Sequence, residues 1–142
     1  MSPASGHRDD DRRGIVRKAF DDWAAGTGRV SDLLADDGTW TIIGRSPVSG
    51  TYRSRQEYVD TVARQLYARL STPVVPKVHD IYVDGDTVIV RFEASATAKD
   101  GKPYANTYAW FLTFRDSQVI SVTAFLDTVA LTDLWTRVSP AG

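Results

Sequence analysis

Residues 87–114 read TVIVRFEASATAKDGKPYANTYAWFLTF. Two runs of alternating character flank Asp100-Gly101, and Asp-Gly between such runs is the strongest short-range signal for a β-hairpin. Successive side chains of a strand point to opposite faces. One face of the first run is therefore Val88, Val90, Phe92, Ala94 and Ala96, and the other is Ile89, Arg91, Glu93, Ser95 and Thr97. On the second run Asn106, Tyr108, Trp110 and Leu112 oppose Thr107, Ala109, Phe111 and Thr113.

Strands continue on both sides. Val78 to Val83 leads through the tight turn Asp84-Gly85-Asp86 into Thr87, and a turn at Asp116-Ser117 leads into Val119 to Leu126. Asp127 to Trp135 reads as a short closing helix, with Asp127 suited to cap it. Upstream the period becomes helical: Ile15, Val16, Ala19, Phe20 and Trp23 share a face, and Gly26 and Gly28 end it. A short helix through Leu33 and Leu34 follows, with Ser31 as its cap, then a strand from Gly38 to Ile43 and a loop from Gly44 to Gly50. Ser54, with Glu57 three residues on, opens a second long helix whose stripe is Tyr58, Val62, Leu66 and Leu70. Pro73 and Pro76 stop it. Residues 1–12 read as a flexible polar tail, 13–137 as one domain and 138–142 as a second tail. Helices followed by a long meander make an α+β order, not the alternation that builds a parallel sheet. The expected fold is a cone-shaped, curved antiparallel sheet wrapped over the N-terminal helices.

Composition narrows the functions. The 142 residues carry 17 Lys plus Arg against 18 Asp plus Glu. Without a basic excess there is no footprint for nucleic acid or for an anionic membrane surface. No cysteine is present, so disulfides, thiolate metal sites and a cysteine nucleophile are excluded. The only histidines are His7 in the tail and His79 beside a turn, too few for a zinc site built on histidines. No apolar run approaches the roughly 20 residues that span a bilayer, and no signal-peptide core is present. The expectation is a cytoplasmic protein without metal or cofactor.

Several segments resemble the SnoaL-like and ketosteroid-isomerase-like members of the nuclear transport factor 2-like superfamily. They are Phe20 to Gly26, Leu34 to Trp40, Ser46 to Tyr52, Asp100 to Tyr104 with Asn106, Tyr108 and Trp110, and Phe125 to Thr128. The resemblance implies an α+β roll with an interior pocket for a small hydrophobic molecule. Residue composition alone makes the Val88 face core and leaves Arg91 and Glu93 in water. The resemblance, aligned on Gly101, instead puts Arg91, Glu93 and Ser95 in the pocket with Asn106, Tyr108 and Trp110. The Val88, Val90 and Phe92 face would then lie outside and require a cover, which makes a homodimer through the outer sheet face the companion expectation.

The family's catalytic sets transfer unevenly. The carboxylate base of ketosteroid-isomerase-like enzymes corresponds to Ile42, and their oxyanion-hole acid to Trp110. The two histidines of scytalone-dehydratase-like enzymes have no equivalents. Limonene-epoxide-hydrolase-like enzymes pair an Arg-x-Asp with an Asp at the end of the last strand, which corresponds to Arg91-x-Glu93 and Asp127. Two carboxylates with separated pKa values, oriented by arginine, would supply both an acid and a base. Trp40, Ile42, Tyr58, Asn106, Tyr108 and Trp110 are the expected substrate contacts. Two functions stay open: a cofactor-free acid–base enzyme (isomerase, cyclase or epoxide-hydrolase-like) acting on a hydrophobic cyclic or polyketide-like substrate, and a non-catalytic binding module or accessory dimer. Equally, Arg91 and Glu93 could neutralise each other while Asp127 only caps the last helix.

Overall fold

The first helix, α1 (Pro3–Ala25), stops where the sequence supplies a residue free to turn left-handed. Gly26 takes φ +78°, which lets Thr27 N donate to Asp22 O at 2.8 Å and Gly26 N to Trp23 O at 3.1 Å. Those bonds satisfy two carbonyls that a helix end leaves open. The computed structural model describes residues 3–140, with side chains from Asp9 onward. A 3-10 turn (Val30–Leu33) leads into β1 (Leu34–Ile42) and β2 (Gly50–Tyr52). A helical stretch follows as α2 (Arg55–Tyr58), a π turn (Val59–Ala63) and α3 (Arg64–Tyr67). Ser54 Oγ accepts from Glu57 N at 3.0 Å, and Glu57 Oε2 accepts from Arg53 N at 3.1 Å, a capping box closed one residue early.

The meander is β3 (Val75–Asp84), β4 (Thr87–Thr97), β5 (Pro103–Arg115) and β6 (Gln118–Leu126), and α4 (Thr128–Arg137) follows. The six strands lie in the order β2-β1-β6-β5-β4-β3, a curved, open sheet with α1 across β3 and β4. The fold is α+β as expected. One pairing departs from an antiparallel sheet: β1 runs parallel to β6, since the whole meander and not a hairpin separates them. Pro76 sits within β3, an edge strand, where a missing N–H is tolerated. Among the described residues no helix is long and apolar enough to cross a membrane.

The β4–β5 hairpin decides the inside of the molecule. Its loop is Lys99, Asp100 and Gly101: Gly101 N donates to Ala98 O at 2.9 Å, Ala98 N to Lys102 O at 2.8 Å, and Gly101 takes φ +84°. Three loop residues put Val90 opposite Trp110, Phe92 opposite Tyr108 and Ala94 opposite Asn106. Arg91 and Glu93 pair with Ala109 and Thr107 on the other face. The expectation that Arg91, Glu93 and Ser95 share a face with Asn106, Tyr108 and Trp110 is therefore overturned, because it needs a register shifted by one residue. Val88, Val90 and Phe92 are fully buried, so they form core and not an outer dimer face. Burying each contributes about 1.5–3 kcal/mol, while exposed ion pairs add little.

Part of each expected tail is tied to the domain, while residues 1–2 and 141–142 lie outside the described residues. Helical backbone runs back to Pro3, and Arg12 is buried. Arg12 Nη1 lies 2.7 Å from Asp86 Oδ1, Nε donates to Asp116 O at 3.1 Å, and the guanidinium stands over the Phe114 ring. One side chain thus holds α1 against the turns that end β3 and β5. At the other end Val138 is buried and its carbonyl accepts from Arg69 Nε at 3.0 Å. Ser31 lies inside the 3-10 turn, whose cap position is Arg29 without a capping side chain. Replacing Arg12 with Ala removes a buried guanidinium and its charged hydrogen bonds to the two turns, and is expected to destabilise the fold by about 2 kcal/mol. Asp86→Ala, at an exposed carboxylate, should cost much less. Urea melts of the two variants check the difference.

Candidate functional site

The inner faces of β1, β5 and β6 meet the helical stretch α2–α3 around a cavity of about 90 Å³. Each element contributes by its own period. Alternation along β5 delivers Tyr104, Tyr108 and Trp110, and β1 delivers Trp40 and Ile42. The helical stretch delivers Tyr58, Val62, Ala63, Leu66 and Tyr67, and α1 adds Trp23. The π turn at Val59–Ala63 widens the spacing, so that Ala63 and Tyr67 join the face that Tyr58, Val62 and Leu66 already present. Tyr67, 40% exposed, stands at the rim.

Aromatic rings form much of the wall. Trp40 stacks on Tyr58 with centroids 3.9 Å apart, and Trp110 stands edge-on to Trp40 at 4.9 Å. Trp23 lies parallel to Trp110 at 5.8 Å. Such walls suit a flat or cyclic apolar occupant. The volume is below the roughly 300 Å³ of drug-sized sites, so the occupant is small. Among the described residues the lining includes no Asp, Glu, His, Lys or Arg. Its polar groups are hydroxyls and indole N–H groups. Tyr104 and Tyr108 share a hydrogen bond of 2.8 Å, and Asn106 Nδ2 donates to Tyr104 Oη at 3.0 Å. Burial raises the pKa of Tyr58, Tyr104 and Tyr108 above the ordinary tyrosine value, since phenolate would lose its hydration there.

Trp40, Ile42, Tyr58, Tyr108 and Trp110 thus come together as expected from sequence, and Asn106 stands directly behind them. The charged residues do not join them. Arg91 is 54% exposed at its side chain and donates through Nε and Nη2 to Asp80 Oδ2, which holds the Asp80 carboxyl below the usual range. Glu93, 55% exposed, pairs with His79 Nε2 at 2.7 Å. Asp127 is exposed and caps α4, its Oδ1 accepting from Val129 N at 3.0 Å and Ala130 N at 3.3 Å. Glu93 and Asp127 do border one open groove, which shares no lining residue with the aromatic cavity; Asn106 lines the groove and donates to Tyr104 of the cavity wall. A catalytic set of Asp127, Glu93 and Arg91 inside the cavity is therefore not what this fold builds. Among the described residues no group of three His, Cys, Asp or Glu side chains could hold a metal ion.

Trp23, Tyr104 and Tyr67 are cavity residues that sequence reading missed. The first two carried a signal: Trp23 closes the α1 stripe, and Tyr104 continues the alternation of Asn106 and Tyr108. Tyr67 lies off the four-residue spacing of its helix and depends on the π turn.

A curved, open sheet closing with helices on an apolar cavity defines the nuclear transport factor 2-like class of α+β domains. The model of the SnoaL-like domain family matches residues 16–122, and the chain belongs to that family. A comparison with curated proteins finds no match. Among solved structures, a nuclear transport factor 2-like protein from Burkholderia thailandensis E264 is 22% identical with a TM-score of 0.71, covering 86% of this chain and 95% of its own. A proposed SnoaL-like polyketide cyclase from Jannaschia sp. CCS1 is 15% identical over 96% of each chain, TM-score 0.73. A proposed isomerase from Rhodopseudomonas palustris is 18% identical, covers 94% of this chain and 97% of its own, and has a TM-score of 0.63. Likeness at these identities is a likeness of fold.

The raised tyrosines set a pH dependence. Above the ordinary tyrosine pKa the unfolded chain releases protons that the folded chain keeps, so stability falls as pH rises through that range and does not change on this account below it. Urea melts between pH 9 and 11.5 should show the loss, and phenolate absorbance should show Tyr58, Tyr104 and Tyr108 ionising only above the ordinary tyrosine range.

Proposed function

We propose that this chain is a binding domain for a small, flat, largely apolar molecule, which it holds in the aromatic cavity without acid–base catalysis by its own residues. The observation that carries this reading is the lining itself, which has aromatic and aliphatic walls and no carboxylate, imidazole, amine or guanidinium. Transfer of apolar surface from water into such walls contributes about 25 cal/mol per Å². The competing enzyme reading, an isomerase, cyclase or epoxide-hydrolase-like activity, draws on the proposed activities of the Jannaschia and Rhodopseudomonas proteins. General acid–base catalysis needs a group within about 2.6–3.2 Å of the proton it moves, with a pKa near the working pH. The cavity offers tyrosines whose pKa values are displaced upward, away from that pH.

Three of the four tryptophans line the cavity, so their emission reports its occupancy. Titration with toluene or naphthalene should give a saturable change, and Ala63→Phe, which places a ring in the space, should weaken it at least tenfold. Asp127→Asn and Glu93→Gln should leave it unaltered. Absence of saturable binding would overturn the reading. So would turnover of a cyclic ketone or epoxide that disappears in Asp127→Asn or Glu93→Gln.

A homodimer through the outer sheet face belongs to the same proposal, on grounds other than the Val88 face. Phe111 and Phe125 meet edge to face at 5.6 Å on that side, and Phe125 is 43% exposed. The charges beside them are already paired within the chain, Arg91 with Asp80 and Glu93 with His79, which lowers the cost of covering them. A second copy would bring the same apolar strip and the same neutralised pairs. Sedimentation should give a dimer that Phe125→Glu converts to monomer; a monomeric parent protein would refute the interface.

A further inference from the structure

Behind the cavity stands Asn106, 5% exposed, and its bonds fix the polarity of the deep wall. Its Oδ1 accepts from Thr107 N at 2.7 Å and from Asp127 N at 3.0 Å. Two backbone N–H groups on one oxygen settle which way the amide faces. Nδ2 then has two hydrogens to give, one to Asp127 O at 3.0 Å and one to Tyr104 Oη at 3.0 Å. Tyr104 is thus already an acceptor before its 2.8 Å contact with Tyr108 Oη is counted.

The two hydroxyls bring two hydrogens, and the contact between them uses one. If Tyr104 donates to Tyr108, the hydrogen of Tyr108 is left over. If Tyr108 donates, both lone pairs of Tyr104 are taken and its own hydrogen is left over. Among the described residues neither oxygen has a further partner, and both side chains line the cavity. Either arrangement leaves one buried O–H for an acceptor on the occupant. The rest of the lining agrees: the indoles of Trp23, Trp40 and Trp110 can only donate, and no carboxylate or carboxamide lines the space.

We propose that the Asn106–Tyr104–Tyr108 chain selects ligands that present a carbonyl oxygen, such as a small ring ketone, aldehyde or quinone, over alcohols of the same shape. This rests on the binding reading above. A carbonyl accepts the spare hydrogen and brings none of its own. An alcohol brings another, which is paired at this end of the cavity only if the same hydroxyl both accepts from one tyrosine and donates to the other in a closed ring of three, a far narrower geometry than a single accepted hydrogen requires. A carboxylate would meet no cation in the lining, and an ammonium no anion.

The test uses acetophenone, 1-phenylethanol and ethylbenzene, three molecules of one shape, the first two of similar apolarity. Acetophenone should bind about tenfold more tightly than 1-phenylethanol. Its carbonyl stretch should move to lower frequency when bound to the unaltered protein, a readout that does not depend on any variant folding. In a folded Tyr104→Phe/Tyr108→Phe double variant, acetophenone should weaken about tenfold while ethylbenzene binds as before or better. An alcohol that binds as tightly as the ketone overturns the inference and leaves the cavity reading standing. An unshifted stretch, or a folded double variant that binds acetophenone unchanged, does the same. Failure of all three molecules to bind overturns the cavity reading with it.

Discussion

At Gly101 the backbone turns through φ +84°, and three residues instead of two separate β4 from β5. Glycine enters this left-handed region without the steric cost that a Cβ would add. Because side chains alternate with period two, one residue of loop length exchanges every neighbour across the hairpin. The register that results puts Val88, Val90 and Phe92 with Tyr108, Trp110 and Leu112 on the inner face. The core, the cavity wall and the surface charges all follow from that one choice. With a two-residue loop, Arg91 and Glu93 would face the aromatic residues, and the same sequence would describe a charged pocket.

Electrostatics and packing agree on the outcome. Arg91, Asp80, Glu93 and His79 satisfy one another on the solvent side, where holding charge is cheap. Buried charges occur elsewhere, and each is tied to architecture. Arg12 reaches two turn carbonyls and Asp86, and Arg69 reaches the Gln65 and Val138 carbonyls while lying over the Trp135 ring at 4.0 Å. Arg12 ties α1 to the turns of the sheet, and Arg69 ties the end of α4 to α3. None of this charge enters the cavity, so the cavity keeps the low polarity that the walls give it.

Much of the fold was legible in the sequence because its periods were unmixed. The α1 stripe, the Ser54 cap, the strand runs of the meander and the Asp127 cap each appear where the pattern places them. Trp40, Tyr108 and Trp110 were placed in the pocket by the family resemblance, and composition already put Arg91 and Glu93 outside, though they pair with Asp80 and His79 and not with each other. What failed was the alignment of two faces across a hairpin, which rests on a loop conformation that Asp-Gly does not specify uniquely. The N-terminal boundary failed for another reason: Arg12 reads as a tail residue, and only the tertiary turns that receive it make it part of the core. The π turn that brings Tyr67 to the rim is likewise a product of packing, without a residue that announces it.

A fold of this class sets out a cone and leaves its lining free to vary. The lining decides between holding a molecule and changing it. Catalysis by proton transfer needs a group that exchanges protons near neutral pH, and burial in an apolar wall moves Tyr58, Tyr104 and Tyr108 further from that condition. The same burial makes a neutral hydroxyl a dependable donor, because it stays protonated across the ordinary range of pH. On the proposed binding reading, removing charge from the interior trades acid–base chemistry for directional recognition. The chain from Asn106 through Tyr104 to Tyr108 is where that exchange would act, since its far end is held by the backbone at Asp127, the residue whose carboxylate the family resemblance assigns to catalysis. Asp127 meets the site through its peptide group, and its side chain serves the helix.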